Sequence, residues 1–320
     1  MKPKLVVIAG PTAVGKTAVA VELALRQHGE IISADSMQVY KHMNIGTAKP
    51  TNEEMKGIKH YLIDEIEPDD DYSVAIFVHK ARQYIDDIHR RGKLPIVVGG
   101  TGFYINALIF NNEFMSTNSN DVDIDIKYRK ELYDIAKSHG ADSLHNILMK
   151  IDLTSANRIH PNNVKRVVRA LEFHKLTGKL ISEHNDQERE RTSPYSVSLF
   201  ILNMQRDTLY KRIELRIDKM IEEGLVAEVQ GILAKGISYD RPSMLGLGYK
   251  EIVPYIQGQI SLEEAIAILK RNTRRFAKRQ ITWFKNQCQG IWINVDETCN
   301  PCIIDDTISI IEREQLSTKY

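Results

Sequence analysis

Along the first hundred residues the apolar positions follow two alternating rhythms. Leu5-Val6-Val7-Ile8-Ala9 is a short, wholly apolar run ending in Gly10, the pattern of a strand buried on both faces. From Gly15 to about Gln27 the apolar residues recur at helical spacing, and Gly29 closes the segment. Glu30-Ile31-Ile32-Ser33-Ala34-Asp35 reads as a second strand. An amphipathic helix is expected from about Asp71-Tyr72-Ser73, with Phe77, Val78, Ala81, Ile85 and Ile88 on one face and Arg90, Arg91 and Gly92 as its stop. Leu94 to Gly100 is a third buried strand. Strands alternating with helices predict βαβ units and an α/β fold: a parallel sheet flanked by helices, with ligands bound beyond the carboxyl ends of the strands.

The pattern changes after Phe110. Residues 111–125 are polar and turn-rich, and from Ile126 to about Lys179 the spacing is helical with no strand signal. Asn185 to Pro194 reads as charged linker, Val197 to Leu202 as a strand, and helices dominate from Asp207 to about Asn286. The organisation expected is an α/β core of residues 1–115 and 195–320, carrying C-terminal helices, interrupted by an all-helical insertion domain of residues 116–194.

Composition narrows the class. The chain of 320 residues is 42% hydrophobic and 27% charged, which suits a globular protein able to bury a full core. No run approaches the roughly 18 to 20 apolar residues needed to cross a bilayer, and Met1-Lys2-Pro3-Lys4 leads straight into a strand, so no membrane association and a cytoplasmic location are expected. Cys288, Cys299 and Cys302 are an odd set without a secretory signal, which argues against a disulfide framework. Cys299-Asn300-Pro301-Cys302 has the spacing of half a zinc site, but a closed site needs four ligands and the last histidine is His184.

The strongest chemical signal is Gly10-Pro11-Thr12-Ala13-Val14-Gly15-Lys16-Thr17. It matches the P-loop (NTPase-like) pattern and stands where that pattern has physical meaning, between a buried strand and a helix. Its glycines let the backbone turn N–H groups inward, and the helix N-terminus adds favourable potential for a polyanion. Lys16 supplies a point charge to the phosphates, and the Thr17 hydroxyl is placed to ligate Mg²⁺. Such a loop ordinarily suggests a nucleotide such as ATP. Here the strand at Val97-Val98-Gly99-Gly100-Thr101 lacks the acidic end that completes a nucleotide hydrolase's metal site, whereas the second strand ends in Asp35.

Three further stretches bear on function: Ser33-Ala34-Asp35-Ser36-Met37-Gln38-Val39-Tyr40, Gly46-Thr47-Ala48-Lys49-Pro50 and Gly99-Gly100-Thr101-Gly102-Phe103-Tyr104. With the P-loop, and with Ile159-His160-Pro161-Asn162-Asn163, Gly246-Leu247-Gly248-Tyr249-Lys250-Glu251 and Ala277-Lys278-Arg279-Gln280-Ile281-Thr282-Trp283-Phe284, they closely resemble the bacterial type of tRNA dimethylallyltransferase, also called tRNA isopentenyltransferase or IPP transferase. The resemblance implies transfer of a dimethylallyl group from dimethylallyl diphosphate to the exocyclic N6 amine of the adenine on the 3′ side of the anticodon. It implies Asp35 as the general base, Thr101 as a hydrogen-bond partner of the same amine, and Arg216 as a second clamp on the diphosphate beside Lys16. It also places Ser36, Met37 and Gln38 against RNA. Arg212 and Arg216 stand four apart on one helix, a destabilising like-charge pair unless an anion lies between them; Arg216 could otherwise pair with Glu214 or Asp218.

RNA adds a requirement for basic surface. Between Lys270 and Lys285 there are seven basic residues and no acidic one, with Arg271, Arg274, Arg275, Lys278 and Arg279 at helical spacing and Phe276, Trp283 and Phe284 interleaved. This is an electrostatic footprint for a phosphate backbone. Lys165, Arg166 and Arg169 in the insertion could hold the other side of a tRNA anticodon stem-loop. The acidic segment Asp64 to Asp71 reads as a solvated loop. A monomer is expected. The rival readings are a P-loop small-molecule kinase using ATP, and a nucleotide-regulated RNA-binding module without chemistry.

Overall fold

The computed structural model of the chain describes residues 2–110, 119–190, 192–295 and 301–317. The chain divides into two compact units, one of Met1–Ile109 with Ser193–Tyr320 and one of Phe110–Thr192. The first unit runs β1 (Lys4–Ala9), α1 (Lys16–Arg26), β2 (Gly29–Ser33), α2 (Asn52–Met55), β3 (His60–Tyr61), α3 (Val74–Arg90), β4 (Leu94–Gly99) and α4 (Gly102–Ile109). The second unit is α5 (Ser119–His139), α6 (Ala141–Ile151), α7 (Leu153–Arg158), α8 (Val164–Thr177) and α9 (Ile181–Glu190). The first unit then resumes with β5 (Ser196–Asn203), α10 (Arg206–Glu222), α11 (Leu225–Ala234), α12 (Tyr249–Ile256), α13 (Leu262–Gln287), β6 (Ile291–Asn294) and α14 (Pro301–Ser317).

The six strands form one sheet in the order β3-β2-β4-β1-β5-β6, and every pairing is parallel. The strands β1, β2 and β4 are buried almost throughout, and β1 and β4 are largely apolar, because helices cover both faces. This order decides where the chemistry goes. Neighbouring β2, β4 and β1 finish in step, with Ser33 opposite Val98 and Ala9 opposite Gly99, so whatever follows each strand meets the other two at one edge.

The opposite edge of the sheet is held by charge. Buried Glu30 accepts two hydrogen bonds of 2.6 Å from Arg91, one of 2.7 Å from Lys93 and one of 2.7 Å from the Tyr61 hydroxyl. The Arg91 guanidinium, outweighing burial and helped by Lys93 and Tyr61, brings its carboxyl down to about 2.

Several elements depart from expectation. Helix α5 starts at Ser119 rather than at Ile126. Helix α9 runs through Asn185 to Glu190, its Glu, Gln and Arg residues being good helix formers even without an apolar stripe. The edge strands β3 and β6, of two and four residues, are too short to leave a period in the sequence. Asp64 to Asp71 is stapled rather than merely solvated: Lys49 pairs with Asp64, Lys80 with Glu65 at 2.8 Å, Lys41 with Glu67 at 2.8 Å and Arg241 with Asp69 at 2.8 Å. The side chains of Cys299 and Cys302 lie outside the described residues.

The helical unit has its own core of Leu132, Leu144, Leu148, Ala156, Val167, Val168, Ala170 and Leu171. Buried Asp152 accepts the N–H groups of Ser155 at 2.9 Å and Ser182 at 3.0 Å, joining α7 to α9. His145 is structural, its Nε2 lying 3.0 Å from Ala156 O and 2.8 Å from Ile159 O. No helix among the described residues is long and apolar enough to cross a membrane.

Candidate active site

The loop after β1 has the backbone a phosphate cradle needs. Gly10, Ala13 and Gly15 have φ of 147°, 65° and 103°, and the left-handed turns at Ala13 and Gly15 bring successive N–H groups to one concave side before α1 begins at Lys16. Gly10, Pro11 and Val14 are buried beneath this crest, while Thr12, Ala13, Gly15, Lys16 and Thr17 are partly open.

Two cavities meet there. One, of about 620 Å³, is lined by Gly15, Lys16, Thr17, Lys49, Arg212 and Arg216, among others. The other, of about 340 Å³, is lined by Thr12, Ala13, Asp35, Ser36, Met37, Thr101, Arg216 and Arg279, with Ile213, Ile217, Met220, Leu247, Leu269 and Phe276 as its apolar wall. Ala13, Ala48, Arg216 and Met220 belong to both. The first is cationic and polar; the second combines an oily wall with one carboxylate.

Asp35 lies two residues past β2 and Thr101 two residues past β4, side by side because those strands are neighbours. Asp35 Oδ1 accepts the Met37 N–H at 2.8 Å, which fixes the carboxylate and leaves Oδ2 without a protein partner among the described residues. The Thr101 hydroxyl also makes no hydrogen bond among the described residues, so it does not serve the turn that its backbone forms with Tyr104 and Ile105.

Two cations stand close to the loop with their charged ends buried. Lys16 Nζ donates to Pro11 O at 2.7 Å. Burial, and then repulsion by Arg216, bring its ammonium down to about 8 against the attraction of Asp35. Arg216 is lowered from its usual value chiefly by burial, with Arg212 adding repulsion and Asp35 and Glu54 opposing it. Neither Glu214 nor Asp218 neutralises Arg216. Glu214 pairs with Arg274, and Asp218 pairs with Lys270 at 2.6 Å. An anion between Lys16 and Arg216 would relieve both cations at once.

Gln38 does not line the larger or the smaller of these cavities. Its Nε2 donates to Ala48 O at 3.2 Å and Thr47 O at 3.4 Å, and its Oε1 accepts the Ser33 hydroxyl at 2.9 Å, so it shapes the loop between them. On α13, Arg271, Arg275, Lys278 and Arg279 are exposed and Arg274 is half-buried in its pair with Glu214. The Arg279 guanidinium stands 5.7 Å over the Phe276 ring. In the helical unit Lys165, Arg166 and Arg169 share the exposed face of α8, opposite buried Val167, Val168, Ala170 and Leu171.

Other participants were not singled out by sequence. Glu228 caps the loop that begins at Asn44, Lys49 donates to Tyr40 O at 2.8 Å and to Asn44 Oδ1 at 2.9 Å, and Gln280 reaches the phosphate loop itself. Their signal was limited to membership of quoted stretches or to a polar residue on an apolar helix face. Among the described residues no three His, Cys, Asp or Glu side chains gather to hold a metal. The Thr17 hydroxyl beside the phosphate loop, without a hydrogen bond among the described residues, fits the sparse way Mg²⁺ is bound, through one protein oxygen with phosphate oxygens and water completing the shell.

A phosphate loop on an all-parallel sheet, opening beside a carboxylate and an apolar wall, defines a P-loop α/β protein. The chain belongs to the IPP transferase family, whose model matches residues 38–287, while the isopentenyl transferase model matches residues 3–70. It is 49% identical over 317 residues, 99% of each chain, to the tRNA dimethylallyltransferase of Lachnoclostridium phytofermentans. It is 53% identical over 293 residues, 92% of each chain, to that of Acetivibrio thermocellus. Among solved structures it resembles the tRNA isopentenylpyrophosphate transferase of Bacillus halodurans, with a TM-score of 0.72 and 45% identity over 99% of this chain and 98% of that one. It also resembles a eukaryotic dimethylallyltransferase acting on tRNA, with a TM-score of 0.81 and 29% identity over 99% of this chain and 80% of that one.

Proposed function

We propose that this chain transfers a dimethylallyl group from dimethylallyl diphosphate to the N6 amine of the adenine 3′-adjacent to the anticodon in tRNA, releasing diphosphate. The observation that carries the reading is that Asp35, Thr101 and Arg216 line one cavity whose wall continues, through Ala13 and Arg216, into the cavity of the phosphate loop. The diphosphate belongs on the cationic side, against Lys16, Arg216 and the loop amides, with Mg²⁺ at Thr17 supplying further neutralisation of the leaving group when bound. The dimethylallyl chain then points toward the wall of Ile213, Ile217 and Leu269, and the adenine enters beside Asp35.

The bond formed joins N6 to the allylic C1, and the bond broken is C1–O to the diphosphate. Charge growing on the departing oxygens is met by donors already in place, which is where fixed dipoles act most strongly. An adenine amine is a poor nucleophile because its lone pair is delocalised into the ring. Asp35 Oδ2 takes the proton that the amine loses as it bonds to carbon, and the Thr101 hydroxyl orients the amine. The anticodon loop is single-stranded, so extruding one purine into the cavity costs little. The exposed bases of α13 and α8 hold the RNA backbone, and the protein acts as a monomer.

A kinase reading leaves the basic α13 face and the apolar wall beside Asp35 without a task. The deciding experiment incubates the protein with Mg²⁺, unmodified tRNA and either dimethylallyl diphosphate or ATP, and then weighs the RNA nucleosides. The expected result is a five-carbon adduct on adenine with dimethylallyl diphosphate alone; an unmodified RNA would sink the proposal.

A further inference from the structure

Gln280 lies on α13 next to Arg279, and its side chain is buried, at 7% exposure. Its carboxamide makes two hydrogen bonds of opposite polarity to two strand ends. Oε1 accepts the Thr12 N–H at 2.9 Å, and Nε2 donates to Gly100 O at 2.9 Å. Thr12 is on the crest of the phosphate loop after β1, and Gly100 immediately precedes Thr101 after β4. The backbone is shaped for this approach: a Cβ at Gly100 would collide with Gln280 Nε2, and one at Gly102 with the Trp283 ring. One side chain therefore bridges the loop that cradles the leaving group and the turn that carries Thr101. The helix bearing it also turns Thr273, Phe276 and Arg279 into the cavity and Arg271, Arg275 and Lys278 outward.

We propose that Gln280 is a positioning residue for the transfer reaction, a clamp that sets the spacing between the phosphate-loop crest and Thr101 and fixes both to the helix on which RNA docks. The chemistry of the side chain is specific. Among side chains of this length, the carboxamide alone offers an acceptor to Thr12 and a donor to Gly100 together at any pH. A carboxylate keeps the acceptor and loses the donor, and a thioether loses both. Gln280 touches no reacting atom in this arrangement. It acts through the two groups it holds, and an error of about 1 Å in such a spacing costs on the order of 10²-fold in rate.

The inference rests on the transfer activity proposed above. Its test is single-turnover transfer at saturating dimethylallyl diphosphate and tRNA, with tRNA affinity measured in parallel, for the wild type, Gln280→Met and Gln280→Glu. Gln280→Met is expected to lose about 10²-fold in rate while its tRNA Kd stays within about threefold. Gln280→Glu is expected to be slow near pH 8 and to recover relative to the wild type by roughly tenfold toward pH 6, because a buried carboxyl protonates early and regains an O–H donor for Gly100. A Gln280→Met rate within about threefold of the wild type overturns the inference, as does a loss of tRNA affinity in step with rate. So does a Gln280→Glu to wild-type ratio that is flat with pH, which decides the matter even if Gln280→Met does not fold. A wild type that yields no product overturns the activity itself and this inference with it.

Discussion

The Tyr249 hydroxyl donates to Glu228 Oε1 at 2.6 Å, and the same carboxylate accepts the N–H groups of Asn44 and Ile45 at 2.8 Å and of Gly46 at 3.1 Å. Four donors thus converge on one side chain, and the loop they belong to supplies Gly46, Thr47 and Ala48 to the wall beside Asp35. Glu228→Ala should destabilise the protein by about 2–3 kcal/mol, since four partly buried donors lose their shared acceptor. Transfer should fall more than tRNA affinity does. Denaturant unfolding alongside steady-state rates checks both; an unchanged midpoint would mean that the loop is held by other contacts.

Asp35→Asn keeps the shape of the side chain and its acceptor for Met37 but removes the proton acceptor. Turnover should drop by about 10² or more, with tRNA binding nearly intact. Equal losses in turnover and in tRNA affinity would take Asp35 out of the catalytic role.

The basic residues of α13 should not contribute equally to RNA binding. Arg271, Arg275 and Lys278 are exposed, whereas Arg274 is engaged with Glu214. Neutralising Arg271, Arg275 and Lys278 together should lower the salt dependence of tRNA binding by roughly 2 to 3 in log–log slope. Arg274→Gln should change that slope little and chiefly weaken the contact between α10 and α13. Titrations at several salt concentrations separate these outcomes, and identical slopes for the triple variant and the wild type would remove the helix from the docking surface.

Glu30 makes a prediction about acid. Its folded carboxyl lies at about 2 against an ordinary 4.5, so the unfolded state binds the extra proton between those values. The stability it contributes is present above the ordinary value and is lost as pH falls toward 2. The shift corresponds to about 3 kcal/mol. Glu30→Gln should therefore flatten the acid limb of a stability-versus-pH curve; an acid limb identical to the wild type would show the cluster to be dispensable.

Much of this site could be read from residues alone because its parts are consecutive. The phosphate loop needs its glycines in one stretch, and an all-apolar strand must precede it. The places of Asp35 and Thr101 beyond two strand ends were legible for the same reason, each following a short run, Glu30 to Ala34 or Leu94 to Gly100, that reads as a strand. What escaped was contact across the chain. Gln280 meets Thr12 over a separation of 268 residues, and Glu228 meets Asn44 over 184, and no local period records such a meeting. The two-residue β3 and the four-residue β6 escaped for a different reason: an edge strand that short is specified by its neighbour, not by its own alternation.

The two ends of the sheet carry opposite electrostatic burdens. Glu30 is answered by Arg91 and Lys93, whereas Lys16 and Arg216 are lowered chiefly by burial of their charged ends, with neighbouring arginines adding repulsion. A polyanion at the second end would neutralise its cations much as Arg91 and Lys93 neutralise Glu30 at the first. Substitutions that remove a buried cation there, Lys16→Met among them, should yield a sturdier protein and a poorer catalyst, the trade expected where function depends on desolvated charge.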